Sequence, residues 1–204
     1  MSGSNARLGI LLSGRGSNFV AIAENIATGT LPGCAIAVVI SNKADAPGLD
    51  AARARGLNSA VIEARGRKRV EHDAEIIACL REHSVDLICL AGYMRLLSAE
   101  FVRAFPNRIL NIHPSLLPAF PGLDAQEQAF AYGVQVAGCT VHFVDEQLDH
   151  GVIVLQKVVP VLPGDDAHAL SARILEKEHV AYSEAIARVL SGKYRVAGRR
   201  YVNA

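Results

Sequence analysis

Residues 8–26 read LGILLSGRGSNFVAIAENI, and this stretch decides the fold. Leu8–Leu12 is a short apolar run that stops at Ser13-Gly14-Arg15-Gly16-Ser17-Asn18; from Phe19 to Ile26 the apolar residues take helical spacing. Strand, glycine-rich turn and helix in that order open an α/β sheet. The alternation continues outward. Ala35–Ile40 is a second β-rich run. Ala44–Arg55 reads as a helix with Pro47 in its first turn and Gly56 closing it. Ser59–Ile62 is a third short strand, and Val70–His83 a longer amphipathic helix with Ile76, Ile77 and Leu80 on one side. Val85–Ala91 is continuously apolar, as a central parallel strand requires. Ser98–Ala104 is a short helix N-capped by Ser98, and Arg108–Ile112 is the next strand. The pattern predicts a Rossmann-like, mostly parallel sheet with helices on both faces.

Beyond Ile112 the character changes. Pro114–Gly122 holds three prolines and reads as a rigid loop. Ala125–Tyr132 is a short helix. Val136–Val144 and Val152–Val161 are two strands joined by the acidic turn Asp145–Gly151, which adds an antiparallel C-terminal part. Ala167–Leu190 is a long helix, and the basic tail Lys193–Tyr201 fits one edge strand. With no repeat and no linker, the chain reads as a single domain over 1–204, with a flexible N-terminus at 1–6 and a basic tail at 193–204.

Half of the 204 residues are hydrophobic, enough for a full core. A formal net charge of +1 leaves no global field to draw in nucleic acid or a membrane surface, so ligands must be held by local groups. No apolar run reaches the roughly 18 residues of a membrane span, and the short polar N-terminus has no signal-like core. Cys34, Cys79, Cys89 and Cys139 form no C-x-x-C pair and read as buried thiols of a reducing compartment, hence a cytoplasmic location.

Four segments are suited to chemistry. The turn Ser13–Asn18 can point backbone N–H groups and a helix N-terminus at an anion; lacking Gly-Lys-Ser/Thr, and with Phe19 at the third glycine position, it suits one phosphate better than a pyrophosphate. A plain tight turn is the alternative. Asn111 and His113 share one face of a strand end, an amide donor beside an imidazole, and the following prolines would fix both. That pair fits carbonyl chemistry, or else a structural cap and a satisfied core histidine. The acidic turn Asp145–Gly151 is either a solvated hairpin or the source of a carboxylate that reaches His113 and favours its imidazolium form. A metal reading of His142, Asp145, Asp149 and His150 fits no standard spacing. Tyr93–Leu97 follows the central strand and could wall a pocket for a flat ligand, although singly Met94 and Leu97 read as core residues and Arg95 as a surface charge.

Taken in order, LSGRGSN, VISNKADA, LAGYMRLLS, NIHPSLLPAFPGL, GCTVHFVDEQLDHG and EKEH resemble the phosphoribosylglycinamide formyltransferase family over about Leu8–Leu190. NxHPSLLP is shared across folate-dependent formyltransferases, and SGxGSN narrows the likeness to the glycinamide branch. The resemblance implies a Rossmann-like formyltransferase fold. It implies transfer of the formyl group of 10-formyltetrahydrofolate, a co-substrate, to the amine of 5'-phosphoribosylglycinamide in de novo purine synthesis. By that likeness Gly16, Ser17 and Asn18 hold the substrate phosphate, and Glu178, with Leu175 nearby, the ribose. Arg69, Met94, Arg95, Leu96, Leu97, Asn111, Asp145, Glu146, Gln147, Leu148 and Asp149 hold the folate. Asn111, His113 and Asp149 form the catalytic group. No metal, nucleic acid or membrane is implied, and the chain is expected to be a monomer or homodimer.

Two positions depart from the family pattern. Gln126 stands where a histidine is common; it can hydrogen-bond but carries no charge. His150 follows Asp149 where a small residue is common. The competing readings are a formyltetrahydrofolate hydrolase, which usually carries an extra N-terminal domain for which the first strand at Leu8 leaves no room, and a non-catalytic nucleotide-binding module. Methionyl-tRNA formyltransferase needs a further C-terminal domain and a basic surface larger than the tail provides.

Overall fold

The computed structural model describes residues 5–204. The flexible segment expected over 1–6 falls mostly on residues 1–4, outside the described residues, and Ala6 already lies in the first strand. The chain divides into two compact units, one reaching Leu110 and one spanning Asn111–Ala204.

The first unit runs β1 (Ala6–Leu12), α1 (Ser17–Ala27), β2 (Cys34–Ser41), α2 (Pro47–Ala54), β3 (Ser59–Val61), α3 (Arg69–Glu82), β4 (Leu87–Leu90) and α4 (Ala99–Ala104). Strand β1 pairs in parallel with β2 on one side and β4 on the other, and Leu8, Ile10, Leu11 and Leu12 are wholly buried. A strand covered on both faces is why this run is apolar without alternation. Helix α2 begins at Pro47, three residues later than the spacing predicts. Ala46 before the proline is extended (φ −66°, ψ 119°), and the ring then opens the helix, where its missing N–H costs nothing. Strand β4 starts two residues late because Val85 donates its N–H to the Leu80 carbonyl to close α3.

Helix α3 does not bury the face its apolar residues suggest. His72, Asp73, Ile76 and Leu80 are buried, while Ile77 is half-exposed. Each polar group has a partner where it lies: His72 Nε2 is 2.8 Å from the Ile62 carbonyl, although its Nδ1 is buried without a hydrogen bond, and Asp73 Oδ2 accepts the Ser98 N–H at 2.6 Å. Ser98 in turn caps α4, its hydroxyl accepting from the Phe101 N–H.

Strand β5 (Ile109–His113) carries the boundary between the units. The second unit continues with α5 (Ala125–Tyr132), β6 (Val136–Phe143), β7 (Ile153–Pro160), α6 (Ala167–Leu190), β8 (Tyr194–Ala197) and β9 (Arg200–Asn203). The strand order of the seven-stranded sheet is β3-β2-β1-β4-β5-β6-β7, with β7 antiparallel to β6. Helix α6 packs on β6 and β7 and buries Leu170, Ile174, Tyr182 and Ile186.

The basic tail is not a single edge strand. It folds back at Gly198 (φ 59°) into the hairpin β8–β9, a two-stranded sheet of its own. Tyr194 and Tyr201 stack across it at 5.5 Å, and Tyr201 meets Phe143 edge-on. All four cysteines are free; Cys34, Cys89 and Cys139 are buried, whereas Cys79 is half-exposed on α3, not buried as its neighbours suggest. Among the described residues no helix is long and apolar enough to cross a membrane.

Candidate active site

In the first unit the glycine-rich turn is tied into the strand ends. The Ser13 N–H donates to the Gly92 carbonyl, while its hydroxyl donates to Asn42 Oδ1 at 2.6 Å and accepts from the Met94 N–H at 2.8 Å. Gly16 takes the left-handed conformation (φ 71°) immediately before α1. Gly48 donates its N–H to the Gly14 carbonyl, and a Cβ there would stand 2.6 Å from Leu12 Cδ2, so α2 packs where no side chain fits. The result is a recess of about 220 Å³ lined by Ser13–Asn18 with Met94, into which the first N–H groups of α1 can face an anion.

After β4 the chain presents apolar side chains to solvent. Met94 is 65 % exposed and Leu96 52 %, so Met94 is not the core residue its type suggests. Exposed large apolar groups beside a recess are the surface a flat ligand covers. Arg95 is half-buried instead of a free surface charge; its Nε is buried without a partner, and it lines a second recess of about 410 Å³ with Lys43, Arg65, Asp45 and Glu63. Arg69 stands exposed at the first position of α3.

In the second unit the proline-rich loop is locked by side chains from β6 and β7. Buried Thr140 donates to the Ser115 carbonyl and accepts from the Leu117 N–H, and Gln156 donates to the Leu117 carbonyl and to Thr140. The Leu117–Pro118 peptide is cis. A Cβ on Gly138 would lie 2.0 Å from the Lys157 carbonyl oxygen and 2.8 Å from Leu116, so this glycine makes room for the loop.

That loop holds His113, which is buried at 4 % exposure. Its Nε2 is 2.8 Å from the Phe120 carbonyl oxygen, and its Nδ1 is 3.4 Å from Asp149 Oδ2. Each ring nitrogen thus faces an acceptor, and only the doubly protonated ring can donate to both. Asn111 lies two residues earlier, its Nδ2 3.2 Å from His142 Nε2. His142 Nδ1 is 2.8 Å from the Phe143 carbonyl, and its Nε2 faces both the Asn111 amide and Asp149 Oδ1, so the neutral ring accepts from the amide and the protonated ring donates to the carboxylate. One Asn111 N–H remains for a ligand.

Asp149 joins these groups. Its φ of 48° lies in the left-handed region, its side chain is 8 % exposed, Oδ2 accepts the Gly122 N–H at 2.8 Å, and Oδ1 is 3.7 Å from His142 Nε2. Burial pushes this carboxyl up, but the His142 hydrogen bond, the Gly122 N–H and the charges of His113 and His142 together hold it below the usual carboxylate range. A carboxyl depressed on folding contributes stability that is complete above the unfolded value, near pH 4, and is lost as pH falls through the folded one. The stability difference between the native chain and Asp149→Asn is therefore expected to be constant from pH 7 to 5 and to shrink below pH 4. Urea unfolding at several pH values measures it, and a gap that widens on acidification would contradict the assignment.

The remaining residues of the acidic turn stand around it. Asp145 accepts the Gln147 N–H, Glu146 and Gln147 are exposed, and Leu148 is 57 % exposed. On α6 Leu175 is half-buried and Glu178 buried; burial and then the Glu178 carboxylate push the Cys139 thiol on β6 up to about 12, which places Glu178 beside that strand. Among the described residues no cluster of three His, Cys, Asp or Glu is arranged to hold a metal ion. The sequence offers His142 only as a metal ligand and does not show that it touches both Asn111 and Asp149. The signal was its place in TVHF, two strand positions after the loop-locking Thr140 and so on the same face.

A family described as formyl transferase matches residues 6–186. The chain is 45 % identical over 197 residues, 96 % of its length, to the trifunctional purine biosynthetic protein adenosine-3 of Drosophila pseudoobscura pseudoobscura, of which it spans 14 %. It is 40 % identical over 188 residues to the phosphoribosylglycinamide formyltransferase of Escherichia coli (strain K12), covering 92 % of this chain and 88 % of that protein. Among solved structures, glycinamide ribonucleotide transformylase 1 from Symbiobacterium toebii is similar with a TM-score of 0.95 at 50 % identity, covering 99 % of this chain and 95 % of that one.

Proposed function

Because the chain belongs to the phosphoribosylglycinamide formyltransferases of the formyl transferase family, we propose that the Asn111–His113–Asp149 group is what transfers the formyl unit. The donor is 10-formyltetrahydrofolate and the acceptor the amine of phosphoribosylglycinamide, in de novo purine synthesis. One observation carries the assignment of residues: Asp149 sits between two imidazoles, 3.4 Å from His113 and 3.7 Å from His142, with the Asn111 amide alongside.

The amine nitrogen attacks the formyl carbon, and negative charge develops on the carbonyl oxygen. The free Asn111 N–H is the direct donor for that charge, and the His113 ring, its Nε2 held by the Phe120 carbonyl and its Nδ1 by Asp149, stabilises it as a fixed imidazolium; both groups are already in place and need little reorganisation. Asp149 keeps the second His113 proton in place. Collapse breaks the bond between the formyl carbon and the folate nitrogen, and the proton lost from the new amide nitrogen goes to that leaving nitrogen.

In the first unit Gly16, Ser17 and Asn18 bind the substrate phosphate, and Arg69 and Met94–Leu97 take part of the folate. In the second, Leu175 and Glu178 serve the ribose and Asp145–Asp149 the folate. The near-neutral charge and free thiols support a cytoplasmic enzyme of small molecules, working as a monomer or homodimer.

The test follows folate absorbance with and without phosphoribosylglycinamide. Turnover is expected only with the ribonucleotide present. Turnover in water alone would indicate a hydrolase, and none in either mixture a binding module.

A further inference from the structure

The transfer scheme above makes no use of His150, one of the two residues that depart from the family pattern, yet His150 is gripped on three sides. Its Nδ1 is 2.7 Å from Asp145 Oδ2. Arg199, at the turn of the β8–β9 hairpin, places Nη1 against the ring, 3.0 Å from Nε2 and 3.3 Å from Nδ1, and donates from Nη2 to the His150 carbonyl at 2.6 Å. With its proton on Nδ1 the ring donates to a carboxylate and accepts from a guanidinium, so both nitrogens are served. The hairpin that carries Arg199 is anchored in its own right: Tyr201 packs on Phe143 of β6, and Arg188, which donates to the Val154 carbonyl of β7, lies 5.2 Å over the Tyr194 ring.

The next residue back is Asp149, in the left-handed conformation that non-glycine residues rarely take and that persists only where the surroundings fix it. We propose that Arg199 is a positioning residue for formyl transfer: by holding the ring and carbonyl of His150 it fixes the backbone turn that aims the Asp149 carboxylate at His113. This rests on the catalytic reading of Asp149 given above. A bidentate fork is suited to the task, since it holds backbone and side chain of one residue together. The basic tail thereby acquires a role in the reaction without touching a ligand.

The experiment combines variants with steady-state kinetics. Arg199→Ala is expected to lower kcat roughly 5- to 20-fold with the KM for the ribonucleotide unchanged, since a displaced carboxylate weakens the chemical step more than binding. Arg199→Lys, with its charge but not the fork, is expected to recover only part. His150→Gly, which leaves the hairpin packing intact, is expected to reproduce part of the loss. In the Asp149→Asn background Arg199→Ala is expected to add nothing, because the arginine acts through that carboxylate. A slow Asp149→Asn beside an Arg199→Ala of native kcat would overturn the positioning role and leave the catalytic reading standing. Effects that multiply in the double variant would also overturn it. Native kcat in Asp149→Asn would remove the catalytic reading and this inference with it. A thermal unfolding midpoint for each variant separates misfolding from misplacement.

Discussion

Replacing His113 with alanine is expected to lower kcat by a factor on the order of 10²–10³ while both ligands still bind within a few-fold of the native chain. The ring faces both the Asp149 carboxylate and the loop carbonyl of Phe120. In the proposed mechanism, removing it takes away a buried and already aimed group at the point where charge grows during attack. Ground-state binding draws on other segments, so it should be spared. Steady-state rates beside titrations of each ligand decide the matter; an unaltered kcat would remove His113 from the chemistry. His113→Gln offers a control, because an amide can donate hydrogen bonds but cannot carry the charge. It is expected to stay close to the alanine variant.

Gly151→Ala is expected to lose about 3 kcal/mol or more of stability, with a thermal midpoint lower by some 6–12 °C, and to lose most of its activity. An added Cβ would stand 1.7 Å from the Phe143 carbonyl oxygen and 3.4 Å from the Asp145 nitrogen. Both neighbours are backbone, so no side chain can swing aside, and the turn itself must open. That turn carries Asp149 two residues earlier, which is why a change of one methyl group reaches the carboxylate proposed to act in transfer. Calorimetry and initial rates measure the two effects. A variant with native stability would mean that the close approach of β6 to the turn is not needed.

The alternating half of the chain was legible from residues 8–26 onward, because strands buried on both faces must be apolar throughout and glycines must punctuate them. Helices Ala125–Tyr132 and Ala167–Leu190 have the bounds the sequence suggests; Gly133 in the left-handed conformation stops the first and Asp166 caps the second. Helix α2 begins late because proline dictates the residue before it, a rule stronger than the propensity of Ala44–Ala46. The stripe on α3 was misread because His72 and Asp73 are buried with partners on other segments, Ile62 and Ser98, and periodicity weighs only apolar residues. In the site, the pairing of Asn111 with His113 follows from strand alternation. The meeting of Asp149 with His113 across 36 residues was argued only as one of two options, and His142 was seen only as a metal ligand that did not fit. Contacts made through a left-handed backbone turn leave no periodic trace, and the same holds for the tail, where Gly198 converts a supposed strand into a hairpin.

One hydroxyl in the first unit has a wider effect than its size suggests. By giving its proton to Asn42 and taking one from the Met94 amide, Ser13 yokes the tips that follow three neighbouring strands into a tripod. Three separate loops would each have to be stilled when a ligand arrives; a tripod moves as one body, and its disorder has already been removed while the chain folds. An anion settling on one leg therefore meets a surface whose other two legs are already standing.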